Sequence, residues 1–305
     1  MRSDKAPSEL TVDRKCPVCK SVMVEFAFRK RDEYLRCNDC GLGFIFPRPT
    51  EEELKILYDD IGSSYFINEQ MLDFEFSRHK NRREISFLKS VRSTGRLLDV
   101  GCCVGSFVKA AQDMGYLAEG IDISEPAVEY GQSLGLRLRA GNVLQVSYPY
   151  KFDIVTMWAV LEHLPDPAAF VMKAHEFLAD GGLFLAAVPN SRGITRTLIG
   201  TKDRYVCSEH LNEWDFNSFG IFLHHCGFRI MRRTSWAFNP LVFLQDALGH
   251  SPEGDSRGKL DEQISCASLT LRVKRSPLGY AQDIVERALA LLDKGDAIAV
   301  AAMPI

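Results

Sequence analysis

Residues 96–107 read RLLDVGCCVGSF, an apolar strand that leads into a short turn of small residues. The turn contains Gly101, Cys103 and Gly105, and Asp99 lies in the strand two positions before the first glycine. Small residues after a strand let the backbone come close to a bound cofactor. The spacing departs from the G-x-G-x-x-G pattern of dinucleotide-binding folds, so the turn predicts a cofactor site of another kind.

Two carboxylates flank this turn in the sequence. Asp122 ends the next predicted strand, seventeen residues after Gly105, and a carboxylate there suits a ribose because it can accept hydrogen bonds from both hydroxyls. Asp99 suits a cationic amino group near the turn better than a pyrophosphate. A ligand that combines an ammonium group, a ribose and an adenine is S-adenosylmethionine, and the pattern predicts this cofactor.

A second group of chemically active residues lies near the N-terminus. The sequences CPVC and CNDC place Cys16, Cys19, Cys37 and Cys40 in two C-x2-C pairs with seventeen residues between them. This spacing is typical of structural Zn2+ sites, and a segment this short needs a metal to stabilise its fold. The alternative is four unconnected reduced thiols. No open coordination position is indicated, so we expect the zinc to have no catalytic role.

The elements that position these residues follow from the hydrophobic pattern. The zinc module has a predicted hairpin at 21–28 and 33–37, and Thr50 with Glu53 forms a predicted capping box. Alternating strands and helices predict an α/β fold with a parallel sheet. The predicted strands are 96–100, 117–123, 136–141, 152–158 and 183–189, with helices at 106–115, 124–135 and 167–182.

The segments LLDVGCCVGSF, GIDIS, AGNV, FDIVTMWAVLEHLPDP and GGLFLAAVPN resemble, in order, the motifs of class I S-adenosylmethionine-dependent methyltransferases. The resemblance covers about residues 90 to 235 and implies a Rossmann-like sheet of seven strands with an antiparallel last strand. Residues 295–304 have the pattern of that strand, after a helix at 281–295. We therefore expect a zinc ribbon at 1–48, a helical linker or lid at 49–92, and a methyltransferase domain at 93–305 with an insertion of unknown role at 236–275.

The resemblance also implies roles for individual residues in the cofactor site. In two positions this chain departs from the family, because Cys103 replaces the middle glycine and Asn142 replaces a more frequent aspartate. We expect Cys103 to be tolerated unless the backbone needs a positive φ there. The methionine moiety would be held by Asp99 and the backbone of Gly101, Cys103 and Gly105, the ribose by Asp122, and the adenine by Ile123, Asn142 and Val143, with Trp158 near the sulfonium.

On the acceptor side the candidates are His163, after the fourth strand of the domain, and His210, in the sequence RYVCSEHLNEWDF. The latter resembles a segment of bacterial methyltransferases that act on nucleotide-linked deoxysugars and also carry a four-cysteine zinc module. That resemblance implies that His210 is the base and that Glu209 and Tyr205 assist it. Alternatively, His163 anchors the helix that follows it, and His210 caps the helix at 215–227.

The bulk composition limits the partners. The formal net charge is -3 and 46% of the residues are hydrophobic, so no global basic field attracts nucleic acid. No signal peptide or spanning helix is evident, and we expect a cytoplasmic protein with a small-molecule acceptor and no membrane insertion. Two alternatives stay open: an RNA methyltransferase that uses the zinc ribbon, or a non-catalytic binding module. The sequence leaves open the acceptor's identity and the oligomeric state.

Overall fold

The computed structural model describes residues 14–50, 52–53, 81–249 and 277–305. The region predicted as a lid lies mostly outside these residues, as does a predicted loop at 251–259. The described strands are β1 (Val24–Arg29), β2 (Glu33–Cys37), β3 (Gly43–Phe46), β4 (Arg96–Val100), β5 (Leu117–Asp122), β6 (Leu138–Ala140), β7 (Phe152–Trp158), β8 (Leu178–Pro189), β9 (Asn212–Glu213), β10 (Phe228–Trp236) and β11 (Ala297–Pro304).

The described helices lie between these strands and against them. They are α1 (Arg82–Val91), α2 (Ser106–Asp113), α3 (Glu125–Ser133), α4 (Pro167–Phe177), α5 (Ile194–Ile199), α6 (Phe216–His225), α7 (Pro240–Ala247) and α8 (Pro277–Leu291). The predicted capping box is confirmed, since the backbone N–H of Glu53 donates to Thr50 Oγ1 at 3.2 Å and that of Thr50 donates to the Glu53 carboxylate at 3.0 Å.

The larger sheet has seven strands in the order β10-β11-β8-β7-β4-β5-β6. Strands β4 to β8 pair with one another in parallel, whereas β11 is antiparallel to both β8 and β10. The predicted fold is therefore confirmed, including the antiparallel last strand. Side chains alternate between the faces, so Leu97 and Leu98 lie in two different buried clusters, each covered by helices.

One predicted element differs at its end. The helix predicted for 167–182 stops at Phe177, and residues from Leu178 onward belong to β8. Leu178 pairs with Phe152 of β7, and Gly181 has a φ of +68° that a continuing helix would not allow. Pairing with the neighbouring strand therefore overrides the local helical pattern.

The predicted zinc ribbon packs against the larger domain. Its predicted hairpin is confirmed by antiparallel pairing of β1 with β2, and β3 then pairs with β9, two residues after His210. Buried Leu42 and Phe44 share one apolar cluster with Trp214 and Phe219 of the methyltransferase domain. The ribbon sheet is thus completed by a strand from the acceptor-side loop, and the two predicted domains share a core.

Candidate functional site

The turn after β4 has the backbone conformation that a cofactor loop requires. Gly101 and Gly105 have φ values of +76° and +81°, in the left-handed region that favours glycine. A Cβ atom built on Gly101 would lie 2.5 Å from Val160 Cγ2, closer than real contacts allow. Glycine at 101 is therefore required both by its φ and by the packing of Val160 over the turn.

Cys103 lies in the same conformational region. Its φ is +49°. The backbone therefore needs a positive φ at this position, which is the case in which we expected a residue other than glycine to be poorly tolerated. A side chain in the left-handed region costs about 1–2 kcal/mol. The Cys103 backbone N–H donates to Asp122 Oδ2 at 2.7 Å, and this charge-assisted bond helps to offset that cost.

Asp122 ties the turn to the end of β5. Its second oxygen, Oδ1, accepts from the backbone N–H of Ser124 at 2.8 Å, and burial raises the pKa of the carboxyl. Each oxygen retains a further lone pair, which is the capacity needed to accept from two ribose hydroxyls. Ile123, which follows it, is 79% exposed and presents an apolar side chain beside the turn, where a flat ring system could cover it.

Asp99 is buried beneath the turn, only 3% exposed. Thr156 of β7 donates to its Oδ1 at 2.6 Å. Burial raises the pKa of Asp99 to about 8, with smaller contributions from the charges of Asp122 and Glu84. A cation bound nearby would favour the ionised carboxylate, so the site is electrostatically suited to an ammonium or sulfonium group.

The remaining predicted cofactor residues lie at the same edge of the sheet. Asn142 Oδ1 accepts from the backbone N–H of Leu144 at 2.9 Å, so contact with an adenine amino group would use the second lone pair of that oxygen. Val143 is buried beside it. The ring of Trp158 packs edge-on against Phe107 at 5.3 Å. The roles of these residues stay predictions.

On the acceptor side the fold brings together two histidines that are far apart in the sequence. The rings of His163 and His210 meet edge to face, with centroids 4.7 Å apart. His163 Nδ1 lies 3.0 Å from the carbonyl oxygen of Glu209, and His210 Nδ1 lies 2.8 Å from that of Tyr205. A carbonyl can only accept, so in each neutral ring Nδ1 carries the hydrogen and Nε2 carries the lone pair.

The pKa values of both rings are lowered, which favours the neutral form. Burial lowers the pKa of His163 to about 4 and that of His210 to about 3, where the neighbouring His163 adds to the effect. The predicted partners Glu209 and Tyr205 contact the histidines through their backbone carbonyls, and the Tyr205 ring also stacks on His210 at 5.9 Å. The structure therefore supports a positioning contribution from Glu209 and Tyr205.

The alternative capping role for His210 is wrong. Asp215 caps α6, since its Oδ1 accepts from the Ser218 N–H at 2.8 Å in a full capping box. The helix after His163 is likewise capped by Asp166, which accepts from Ala169 at 3.2 Å. Both histidines thus lie near helix ends that other residues already satisfy.

Glu162 belongs to the candidate pair EH at 162–163, although no role of its own was predicted for it from the sequence. It is 1% exposed, its Oε1 lies 4.0 Å from His163 Nε2, and burial raises its pKa to about 8. Within the described part of the chain its Oε2 is buried with no hydrogen-bond partner. The only signal in the sequence was its place next to His163 at the end of a strand.

The ribbon holds the two histidine-bearing loops together. Arg48 donates to the carbonyl oxygens of Leu211 at 2.8 Å and Pro165 at 2.6 Å, one on each loop, and to Asn212 Oδ1 at 3.0 Å. Asn212 in turn donates to the Leu164 carbonyl at 2.8 Å. These contacts fix the loop of His163 against that of His210.

The four predicted metal ligands converge in the ribbon. Their sulfur atoms lie within 4.8 Å of one another, with Cys16 and Cys40 at 3.6 Å and Cys19 and Cys37 at 3.5 Å. Thiolates around a tetrahedral zinc ion are about 3.8 Å apart, given Zn–S distances of about 2.3 Å. The cluster therefore fits a zinc ion, which these four residues would hold.

Comparison with known proteins agrees with this fold. A family model described as a methyltransferase domain matches residues 74–232, just over half of the chain. The chain is 31% identical to the ubiquinone biosynthesis O-methyltransferase of Thiobacillus denitrificans over 35% of its length, and 32% identical to that of Idiomarina loihiensis over 39%. Each match covers 50% of the relative, so the chain spans about half the length of these curated proteins.

Solved structures show the same fold. A possible histamine N-methyltransferase from Thermotoga maritima aligns with a TM-score of 0.51 and 14% identity, over 79% of this chain and 96% of that one. The [4+2]-cyclase SpnF aligns with a TM-score of 0.52 and 17% identity, over 85% of this chain and 98% of that one.

The fold and cofactor-side turn define a class I methyltransferase domain. The chain belongs to the methyltransferase domain family that its residues 74–232 match.

No helix among the described ranges is long and apolar enough to cross a membrane.

Proposed function

We propose that this protein transfers a methyl group from S-adenosylmethionine to a small-molecule acceptor. The observation that carries the proposal is the link between the turn after β4 and Asp122, which accepts from Cys103 N–H at 2.7 Å while retaining lone pairs for a ribose. Asp99 lies buried below the same turn and suits the cationic end of the donor. Family membership supports this function, whereas the fold by itself does not, since a cyclase shares it.

When bound, S-adenosylmethionine supplies an electrophilic methyl group on sulfur. The chain then has to hold the acceptor in line with that methyl and receive the acceptor's proton where one is lost. His163 and His210 would perform the second task, which is supported by their Nδ1 hydrogen bonds to carbonyls, since these put the lone pair of each ring on Nε2. They act on the acceptor directly or through a group held between the two rings.

The acceptor class we propose is a nucleotide-linked sugar or another glycan or secondary-metabolite precursor. Support comes from the segment SEHL with His210, and from the ribbon that holds its loop through Arg48 and β9. The proposed zinc ion is structural, because four thiolates complete its coordination. Thiolate ligands persist in a reducing compartment, which favours the cytoplasm.

Two measurements test the proposal. Isothermal titration calorimetry should show S-adenosylmethionine binding, weakened at least tenfold in Asp122→Asn because the amide NH2 would oppose one of the two backbone N–H donors, that of Cys103 or that of Ser124. Glu129→Gln, an exposed position on α3, is the matched control and should bind as wild type does. A labelled-methyl assay over a panel of nucleotide sugars then identifies the acceptor. Absence of binding heat at millimolar donor would reject the function.

A further inference from the structure

Glu162, His163 and His210 form a second cluster of metal-ligand groups, separate from the cysteines. One ligand atom from each residue lies within 4.8 Å of the other two. Ligand atoms around a tetrahedral metal ion are about 3.4 Å apart when each lies about 2.1 Å from the metal, so a closure of a little over 1 Å completes the geometry. Side-chain rotation supplies a shift of this size.

Each ring makes the hydrogen bond that is typical of a metal-bound histidine. In such sites the ring nitrogen that does not bind the metal usually donates to a carbonyl or carboxylate, which fixes the tautomer. Here Nδ1 of His163 donates to the Glu209 carbonyl and Nδ1 of His210 to the Tyr205 carbonyl. In this tautomer Nε2 carries the lone pair of each ring and is the atom that would bind a metal.

Glu162 supplies the independent observation. Its Oε2 is buried without a hydrogen-bond partner among the residues that the structure describes, and its Oε1 is too far from His163 Nε2, at 4.0 Å, for a hydrogen bond. An unpartnered buried carboxylate oxygen is costly. A histidine pair that acted only as a base would not require a buried carboxylate beside it. A cation held between the rings would give the unpartnered Glu162 oxygen a partner.

We propose that Glu162, His163 and His210 bind a divalent transition-metal ion of the zinc class. Two imidazoles and one carboxylate form a ligand set that suits this class and leaves a fourth position open. The His163 side chain is 25% exposed, so the open position is reachable from solvent.

The role of the ion rests on the proposed function. A hydroxyl of the acceptor would occupy the open position, where the metal lowers its pKa, and its proton would pass to solvent water while the oxygen stays bound. His210 is then a ligand that acts on the acceptor through the metal.

Cobalt(II) titration tests the site in full-length protein whose ribbon is loaded with zinc. We expect one Co2+ per chain with weak visible absorption and no intense thiolate charge-transfer band, since the ligands are nitrogen and oxygen. Glu162→Gln and His210→Ala should each weaken Co2+ binding more than tenfold. His225→Ala, an exposed histidine on α6, is the matched control and should bind as wild type does.

A second measurement needs no variant. Adding Zn2+ to the wild-type protein should shift the ring 15N resonances of His163 and His210 and leave those of His225 in place. Binding of no ion beyond the ribbon zinc, or a bound ion that leaves both of these rings unshifted, would overturn the proposal. Neither measurement includes a methyl donor, so failure here is distinct from failure of S-adenosylmethionine binding.

Discussion

Arg48, at the end of the zinc ribbon, donates to the side-chain oxygen of Asn212 at 3.0 Å, across 164 positions of sequence. The same guanidinium contacts the carbonyls of Leu211 and Pro165, which flank the two histidine loops. The ribbon therefore positions the two histidine loops of the candidate site without contacting a reacting group. Its metal would act on the acceptor side indirectly, by keeping Arg48 and β9 in place.

The first prediction concerns this contact. Arg48→Ala should raise the KM for the acceptor about tenfold or more and leave the dissociation constant of S-adenosylmethionine unchanged, because the histidine loops lose their common anchor while the turn after β4 does not. Steady-state kinetics and calorimetry measure the two quantities. Arg29→Ala is the matched control in the same ribbon, with a side chain that is 66% exposed. An equal loss of donor binding would contradict the separation.

A second prediction concerns Gly101. Gly101→Ala should lower the free energy of unfolding by about 2–4 kcal/mol, combining left-handed strain with overlap against Val160. Gly115 also has a positive φ, +90°, but a Cβ atom there would have no atom within 4 Å. Gly115→Ala should therefore lower the free energy of unfolding only by the backbone strain, about 1 kcal/mol. Urea unfolding of both variants measures the difference. The double variant with Val160→Ala should recover the overlap part, and full additivity of the two substitutions would argue against the contact.

The third prediction concerns the cysteine in the cofactor turn. Cys103→Gly should stabilise the protein by about 1 kcal/mol, because glycine adopts the φ of +49° without the side-chain penalty. Cys103→Val should destabilise it, since a β-branched residue is least tolerated there. Thermal unfolding should show a rise of about 2–4 °C for the first variant and a fall for the second. Equal effects of both variants would show that φ does not govern this position.

The fourth prediction follows from the lowered pKa of His210. In the folded chain His210 stays neutral down to a pH of about 3, whereas an unfolded histidine gains a proton near 6.5, so the unfolded state binds more protons between these values. The stability contributed by the neutral ring is therefore present above pH 6.5 and is lost as the pH falls below it, by up to about 1.4 kcal/mol per pH unit.

Thermal unfolding between pH 4.5 and 8 measures this effect as the difference between wild type and His210→Gln. The stability contributed by Asp99 and Glu162 has the opposite pH dependence. Burial raises their pKa values to about 8, so the folded state holds their protons above pH 4.5. They are present in both proteins and cancel in the difference. The variant should lose less stability than wild type as the pH is lowered, and parallel curves would refute the burial of His210 as a neutral ring.

The fold could be predicted from the sequence because its signals are local, and the prediction of the cofactor residues rests on equally local signals. The turn GCCVG follows its strand directly, Asp122 ends the next one, and each C-x2-C pair forms its own knuckle. Alternation of strands and helices with short connections leaves few ways to arrange the sheet. The backbone conformation of Cys103 could not be predicted from the sequence, because the residue type alone does not set φ.

The acceptor side was decided by contacts between distant parts of the chain. Nothing in the sequence pairs β3 with β9, places Arg48 between two loops, or brings His163 and His210 to 4.7 Å. Such contacts depend on how the ribbon packs against the sheet. Tertiary packing of this kind leaves no repeating pattern in the sequence from which it could be predicted. The sequence by itself determined the fold and the predicted cofactor, whereas the tertiary structure alone decided that His163 and His210 meet, because that contact joins residues far apart in the chain.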